Sequence, residues 1–283
     1  MPKYACSIHF NLNFLNCTVN TNFMQERHKN KKRYFDEQAR TTEKFVVPYL
    51  KDLMELSAET EVLEIGCGEA GNLKPFVDLG CKATGIDIAC NRIELAREFY
   101  SDHKLKNNLE LICSDIYKVD PAGKKYDLII MRDVIEHIPN QEKFMGFVKS
   151  FLKAKGKFFL GFPPWQNPFG GHQQISNNKI LSKLPYFHLL PKSIYTFILK
   201  AFNESDSKIK GLMEIRETGI SIERFERILK KEGYTVEKRD FYLINPNYET
   251  KFGLKPRKQN RLVSTIPVVR NFFTTAMYYV VSK

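Results

Sequence analysis

The sequence predicts an α/β fold, a three-layer α/β/α sandwich of about seven strands, mostly parallel, with the last one antiparallel. The main observation is that short apolar segments alternate with amphipathic helical segments over residues 61–162. This alternation is typical of a parallel sheet with helices on both faces. The chain also has 283 residues, 43% of them hydrophobic, which is enough to bury a substantial core.

Five strands are predicted from short apolar runs, each ending near a glycine or a charged residue. They span residues 61–65, 82–88, 109–113, 126–131 and 156–162. Helices with one apolar face are predicted between them, at residues 72–79, 91–100 and 141–152. This order brings the carboxyl ends of the strands to one edge of the sheet, where ligands bind in open α/β folds.

The alternation stops after the fifth strand and resumes later. Residues 163–218 are rich in Pro, aromatic residues, Asn and Lys, with helical character only near 194–202, and they predict an insertion on the acceptor side of the sheet. Ser221 is a favourable N-cap, and Gly233 ends the helix that it opens. Strands at 234–244 and 275–282 complete the domain.

The N-terminal part divides into two segments. Residues 1–23 show no clear period, whereas the segment that begins at Met24 is helical in character, so we expect residues 1–23 to be a dispensable extension. Residues 24–60 are predicted to form a helical cover, which Pro48 kinks or splits, with Tyr34 and Phe35 as candidate cofactor contacts. Residues 61–283 form the main domain, including the insertion.

Composition excludes several classes of protein. The chain has 15 Gly, 13 Pro and 6 Cys, which argues against collagen-like and disulfide-scaffold proteins, and no apolar run is long enough to span a membrane. The net charge of +12 permits nucleic acid, an anionic membrane surface or an anionic substrate, and selects none of them. The cysteines are not spaced for metal binding, so we predict reduced thiols, a cytoplasmic protein and no metal.

A glycine-rich turn follows the first strand. Gly66, Gly68 and Gly71 also fit the spacing of a dinucleotide-binding loop, so the turn alone is ambiguous. However, Glu64 precedes it, and Asp87 and Asp115 end the next two strands. Three carboxylates along one edge suit a ligand with a cationic centre, an amine and ribose hydroxyls, and they suit a pyrophosphate poorly.

Taken together, these segments resemble the class I S-adenosylmethionine-dependent methyltransferases, which have a Rossmann-like fold. The motifs that carry the resemblance are Val-Leu-Glu-Ile-Gly-Cys-Gly at 62–68, Gly-Ile-Asp-Ile at 85–88, Cys-Ser-Asp-Ile at 113–116 and the segment 126–138. The last is similar to the small-molecule branch of that family. The resemblance covers residues 61–162 and the closing segment from Ser221, and it implies S-adenosylmethionine as the cofactor.

The resemblance also implies a set of cofactor-binding residues. They are Glu64, Gly66, Cys67, Gly68, Asp87, Ile88, Asp115, Ile116, Met131 and Arg132. Glu64, Gly66 and Gly68 would hold the amino-acid part. The aspartates would accept the ribose hydroxyls and the adenine amino group, the isoleucines would flank the ring, and the last two residues would line the methionine. Ala70 departs from the family, which often has Gly there, and we expect little cost from so small a side chain.

Two histidines are candidates for a general base, because a neutral imidazole accepts a proton near pH 7. His137 follows the fourth strand, where its alternative role is to cap the turn. His172 lies beside two glycines inside the insertion, where catalysis and substrate binding are both open. Trp165, Phe169 and Tyr186 are candidate substrate-binding residues, and their alternative role is to pack the insertion onto the domain.

The sequence thus predicts methyl transfer to a small, lipophilic or aromatic acceptor, at oxygen. An Asn/Asp-Pro-Pro-aromatic motif, used in this family for nucleobase amines, is absent after the fourth strand. The alternatives are an RNA methyltransferase, suggested by the basic stretch 251–261, and a non-catalytic protein that binds the cofactor. That stretch lacks the aromatic pattern of an RNA-binding module, so a nucleic-acid partner is disfavoured. Peripheral membrane contact through residues 180–202 is a further alternative.

Overall fold

The computed structural model describes residues 30–283, so the expected dispensable segment 1–23 lies outside the described residues. One eight-stranded sheet organises this part of the chain. Its strands are β1 (Glu61–Ile65), β2 (Lys82–Asp87), β3 (Leu109–Cys113), β4 (Tyr126–Arg132), β5 (Leu152–Phe162), β6 (Thr235–Ile244), β7 (Arg257–Lys258) and β8 (Ala276–Ser282). Their order across the sheet is β3-β2-β1-β4-β5-β8-β6-β7.

The sheet is parallel in its first five strands and antiparallel around β8, as the sequence predicts. β1 pairs with both β2 and β4, which places it at the centre of the parallel half. β8 lies between β5 and β6 and runs antiparallel to both. The two-residue edge strand β7 was not predicted, because it is too short and too basic to show an apolar period.

Eleven α-helices lie in the described residues, and those that pack on the sheet form the outer layers of the sandwich. They are α1 (Lys31–Thr41), α2 (Val47–Lys51), α3 (Lys74–Asp78), α4 (Cys90–Phe99), α5 (Gln141–Val148), α6 (Lys192–Ala201), α7 (Asp206–Thr218), α8 (Ile222–Lys231), α9 (Asn247–Phe252), α10 (Arg261–Thr265) and α11 (Val269–Phe272). Apolar side chains fill both faces of the sheet, with α5 and α8 on one face and α1 to α4 on the other.

The predicted break near Pro48 is present. A single π-helical turn, Thr42–Val46, separates α1 from α2, and Pro48 lies in the first turn of α2. Proline has no N–H for the i−4 carbonyl, and a π turn is a usual way to accommodate such a break. The turn brings the buried Thr42 side chain to the edge of the sheet.

The insertion has a small apolar core of its own, which α6 and α7 share with the loop before them. Its buried members are Leu181, Phe187, Tyr195, Leu199, Ile209 and Leu212. The sequence predicted α6 but missed α7, because the apolar side chains of α7 are few, although Ser205 does cap its first turn. The Thr218 hydroxyl at the end of α7 donates to the Glu136 carbonyl at 2.6 Å, which fixes the insertion to the turn after β4.

The prediction of reduced thiols was wrong for two cysteines. Cys90 and Cys113 form a disulfide, with their Cα atoms 5.0 Å apart. They meet because Cys113 pairs in register with Asp87 on the neighbouring strand, and Cys90 opens the next helix. Cys67 and Cys81 are free and buried, as predicted. The cytoplasmic location stays a prediction. Within residues 30–283, no helix has both the length and the apolar character to cross a membrane.

Candidate active site

The glycine-rich turn after β1 is held by backbone hydrogen bonds to the end of β2. The amides of Gly66 and Cys67 both donate to the Ile86 carbonyl, at 2.8 and 3.1 Å. The Gly68 amide donates to the Asp87 carboxylate at 2.7 Å, and the Ala89 amide donates to its other oxygen at 2.8 Å. Asp87 therefore fixes both loops that border the edge of the sheet.

Close packing explains the glycine at position 68. Its φ is +55°, and a Cβ there would lie 2.0 Å from the guanidinium of Arg92. Arg92 in turn pairs with the buried Glu69 at 2.6 Å. Ala70 also has a left-handed backbone, with φ of +59°, a conformation that costs a non-glycine residue roughly 1 kcal/mol. The expectation of little cost at Ala70 considered only side-chain size and missed this backbone term.

A buried polar network lies beside the turn. Asn72 donates to Glu64 Oε1 at 2.7 Å and accepts from Arg132 at 2.7 Å. Arg132 also donates to Thr42 at 3.0 Å and to Asn247 at 2.8 Å. This arginine thus joins the turn, the N-terminal helices and α9. Glu64 Oε2 is buried and has no hydrogen-bond partner among the described residues, and burial raises the pKa of Glu64 to about 8.

A small polar cavity opens at this network. The residues that line it are Tyr34, Glu37, Gln38, Asn72, Arg132, Asp133, Asn247 and Lys251. The helical cover supplies Tyr34, one of the two candidate cofactor contacts. The other predicted contact, Phe35, is only 1% exposed and packs instead against Phe99 and Tyr100 in the core. Successive residues of α1 point in different directions, so only one of the pair can face the cavity.

A second group of polar side chains lies where the insertion meets the turn after β4, and we call Glu136, His137 and His172 the edge cluster. Their donor atoms all lie within 4.8 Å of one another. The two imidazole rings meet edge to face, with centroids 4.9 Å apart. His137 ends the short turn after β4, whereas His172 comes from the insertion with a left-handed backbone, φ +54°.

The electrostatics of the edge cluster keep both imidazoles neutral. Burial, together with the smaller effect of the neighbouring His172, lowers the pKa of His137 to about 3. Burial also lowers the pKa of His172, against the opposing charge of Asp133. Glu136 is 6% exposed, and burial together with Asp133 raises its carboxyl pKa well above the usual range. Asp133 lines the polar cavity as well, so the cavity and the edge cluster are neighbours.

Comparison with known families decides the identity of this fold. The family model described as a methyltransferase domain matches residues 27–182, which is more than half of the chain. The chain belongs to this methyltransferase family. The resemblance on which the sequence prediction rested is confirmed, as is the prediction of a methyltransferase enzyme.

Curated relatives match a shorter part of the methyltransferase. A sterol 4-C-methyltransferase of Caenorhabditis elegans is 29% identical over 112 residues, covering 40% of this chain and 34% of the relative. A ubiquinone biosynthesis O-methyltransferase of Bartonella bacilliformis is 28% identical over 120 residues, covering 42% of this chain and 48% of the relative. The chain therefore spans less than half of the length of either relative.

A solved structure matches the whole methyltransferase fold. Magnesium protoporphyrin IX methyltransferase from Synechocystis PCC 6803, solved with bound S-adenosylhomocysteine, gives a TM-score of 0.53 over 95% of this chain and 90% of that chain. The sequence identity is 16%, so this likeness shows the fold alone. It confirms the predicted α/β fold.

S-adenosylmethionine is the cofactor of this methyltransferase, and the residues present fit it. The orphaned Glu64 oxygen offers a buried acceptor for an ammonium group, which costs free energy while it has no partner. Gly66 and Gly68 both have a left-handed backbone, which lets the chain turn tightly directly after β1. We propose that Glu64, Gly66, Cys67 and Gly68 hold the amino-acid part of the cofactor.

Two of the residues proposed to contact the adenine, Ile88 and Asp115, are exposed. Ile88 is 43% exposed, so its side chain is available to pack on a ring. Asp115 is exposed and uses one oxygen to accept from the Tyr117 amide at 3.0 Å, which leaves the other for an amino group. Ile116 and Met131 are buried in the core below the edge. The side chain of Met131 therefore does not line the polar cavity, whereas that of Arg132 does.

The predicted substrate-binding residues are not all brought together. Trp165 packs over Gly219 and against His188, with ring centroids 4.6 Å apart. The Tyr186 amide bonds to the Pro168 carbonyl next to Phe169, but its ring turns outward to Phe272 and its hydroxyl donates to the Phe272 carbonyl. Trp165 and Phe169 are half-buried and stay candidates for the acceptor pocket, whereas Tyr186 packs the insertion onto the domain.

Sequence reasoning missed Thr42, Asn72, Asn247 and Glu136. Asn72 was within reach, because it follows the glycine turn directly. Thr42 and Asn247 carry no local signal, since they meet Arg132 only across 90 and 115 residues of chain. Glu136 lies next to His137 in the sequence, but only the structure shows that its buried carboxyl oxygens have no hydrogen-bond partner among the described residues.

The raised pKa of Glu64 predicts that cofactor binding releases a proton. Near pH 6 to 7 the free protein holds Glu64 protonated, while an α-amino group with a pKa of about 7.7–8.0 is cationic. Binding the ammonium ionises the carboxyl, so we expect affinity to rise with pH by up to about tenfold per unit. Calorimetry in two buffers of different ionisation enthalpy measures the released proton.

Glu64→Gln provides the matched control for this prediction. Its amide oxygen still accepts from Asn72, but it has no proton to release, so affinity should be lower and flat over the same pH range. A wild-type protein whose affinity is equally flat would show that Glu64 does not meet the ammonium.

Proposed function

We propose that the protein transfers the methyl group of S-adenosylmethionine to an oxygen of a small, lipophilic or aromatic acceptor. The single observation that supports the proposal is the edge cluster, in which two neutral imidazoles and a buried carboxyl group lie close to the polar cavity that Arg132 lines. Methyl transfer to a hydroxyl needs removal of one proton and correct placement of the oxygen. The edge cluster supplies polar atoms for both tasks.

The surroundings of the edge cluster favour an acceptor with an apolar body. Trp165 and Phe169 lie on the same insertion loop as His172, and apolar walls with few polar groups are typical of small-molecule pockets. We propose that residues 163–218 act as a cover over the acceptor. The names of the relatives agree with this class, since they include a ubiquinone biosynthesis O-methyltransferase and a sterol 4-C-methyltransferase.

A panel of acceptors tests the class. Purified protein and S-adenosylmethionine are incubated with alkyl-substituted catechols, a sterol, a fatty acid, an aromatic amine and total RNA, and mass spectrometry measures S-adenosylhomocysteine and the methylated product. We expect turnover on the phenolic acceptors, with the new methyl group on oxygen. Turnover on RNA alone would overturn the proposal in favour of an RNA methyltransferase. Tight cofactor binding without turnover on any acceptor would favour a non-catalytic binding protein.

The proposed role of the edge cluster predicts the effect of His172→Ala. We expect turnover of the best acceptor to fall at least about tenfold, because proton removal by a positioned group contributes about 100-fold or more. Cofactor affinity should stay unchanged. His103→Ala is the matched control, since that histidine pairs with Asp78 at the end of α3 and is not part of the edge cluster. A change in turnover below about threefold, well under the contribution of such a group, would remove His172 from the reaction.

A further inference from the structure

The edge cluster contains a carboxylate that the described part of the protein does not satisfy. Glu136 is 6% exposed, and neither of its oxygens accepts a hydrogen bond from another residue in the range 30–283. Its backbone carbonyl is in use, because it accepts from Thr218. Buried carboxyl oxygens without a hydrogen-bond partner are rare in folded proteins because they cost free energy, and a cation bound here would satisfy both of them.

The two imidazoles beside it are also available. No other described residue forms a hydrogen bond with a ring nitrogen of His137 or His172, although the rings touch each other. The His172 backbone is left-handed and is followed by the fully buried Gln173, which donates to the carbonyls of Pro168 and Leu184 at 3.0 and 3.1 Å. The loop that presents His172 is thus fixed by buried bonds rather than by contacts of the imidazole itself.

Two imidazoles and one carboxylate form a donor set that first-row divalent cations prefer. We propose that Glu136, His137 and His172 bind such a cation, and that its open coordination position takes the hydroxyl of the methyl acceptor. No spacing in the sequence reveals this site, because His172 comes from the insertion. The proposed site departs from the expectation, drawn from the sequence, that the protein holds no metal.

The geometry allows one ion with small movements. Nitrogen and oxygen donors lie about 2.0–2.2 Å from zinc, so a tetrahedral site holds them about 3.4 Å apart. The donor atoms of the edge cluster are within 4.8 Å of one another, and side-chain rotations that move each donor by less than about 1 Å close the site. The charge of Asp133, which acts on Glu136 and His172, further favours a cation here.

The role of the cation deepens the proposed function and rests on it. A metal-bound hydroxyl loses its proton more easily. The O–H bond of the acceptor breaks and the proton passes to water, while the oxygen stays on the metal. That oxygen then forms the new bond to the methyl carbon, and the methyl–sulfur bond breaks with its electron pair left on sulfur. In this form of the enzyme the two imidazoles are ligands, and neither accepts the proton.

Metal binding to the full-length protein tests the site without any acceptor. The protein is stripped with a chelator and titrated with Zn²⁺ by calorimetry and with Co²⁺ by visible absorption, and bound metal is counted by elemental analysis. We expect one ion per chain with a Kd of about 1 μM or tighter, and Co²⁺ bands typical of nitrogen and oxygen ligands. His172→Ala and Glu136→Gln should each weaken binding at least about 100-fold.

Matched controls keep the outcome decisive. His103→Ala removes a histidine outside the edge cluster and should leave stoichiometry and affinity unchanged. Cofactor binding and melting temperature show that each variant is folded, and if Glu136→Gln unfolds, the result for His172→Ala decides. The proposal is overturned by wild-type protein that binds no stoichiometric ion, or by binding that survives His172→Ala. Metal binding without turnover on phenolic acceptors would uphold the site and overturn the proposed function.

Discussion

Replacing Asp87 with Ala is expected to weaken S-adenosylmethionine binding at least about 100-fold, the equivalent of about 3 kcal/mol. The carboxylate accepts from the Gly68 and Ala89 amides, and the proposed ribose contact adds further charge-assisted hydrogen bonds, each worth about 1.5–3 kcal/mol. The substitution therefore removes a ligand contact and loosens both loops of the cofactor edge. Isothermal titration with the cofactor measures the effect.

Two controls separate the ribose contact from the loop. Asp87→Asn keeps one acceptor oxygen for a loop amide but loses the charge, so we expect an intermediate affinity. Asp120→Ala removes a carboxylate that bonds only to the nearby Ala122 amide in an exposed turn, and its affinity should match the wild type. If Asp87→Ala binds the cofactor as tightly as Asp120→Ala does, the assignment of the cofactor edge is wrong.

The residues proposed to bind the cofactor could be picked out from the sequence because they lie where strands end. Glu64, Asp87 and Asp115 follow apolar runs whose period is visible, and parallel strands bring their carboxyl ends to one edge. The structure adds what each carboxylate does in the free protein. Asp87 holds two amides, Asp115 caps a turn, and Glu64 keeps one unpartnered oxygen. Residue type and position were predictable, but this division of tasks was not.

The acceptor side was less predictable, because its parts are distant in sequence. His137 and His172 were both singled out, but as competing bases, since nothing in the sequence says that their rings touch. The insertion that carries His172 is also joined to the turn after β4 by the bond from Thr218 at the end of α7, and α7 was the helix that the sequence did not reveal. The disulfide was missed for a similar reason, because Cys90 and Cys113 become neighbours only through the register of β2 and β3.

Arg132 connects the part of the site that could be predicted from the sequence with the part that could not. It ends β4, where the sequence placed it, yet nothing in the sequence assigned a role to its partners Thr42 and Asn247. It also lies near Glu64, whose pKa its positive charge lowers against the effect of burial. One side chain thus holds the helical cover and α9 onto the sheet and moderates the charge of the cofactor carboxylate.

We therefore expect Arg132→Met to lower the free energy of unfolding by about 3 kcal/mol, because breaking a buried charged network leaves its partners unsatisfied. Urea denaturation followed by circular dichroism measures the change. Arg227→Met is the matched control, since Arg227 is exposed on α8 and its loss should change stability by less than about 0.5 kcal/mol. Arg132→Lys keeps the charge near Glu64 but cannot reach all three partners with one ammonium, so its stability should fall between the two. Equal stability of the Arg132→Met and Arg227→Met proteins would mean that the cover and α9 are held by their apolar contacts alone. In that case the cavity at the cofactor edge could open without breaking this network.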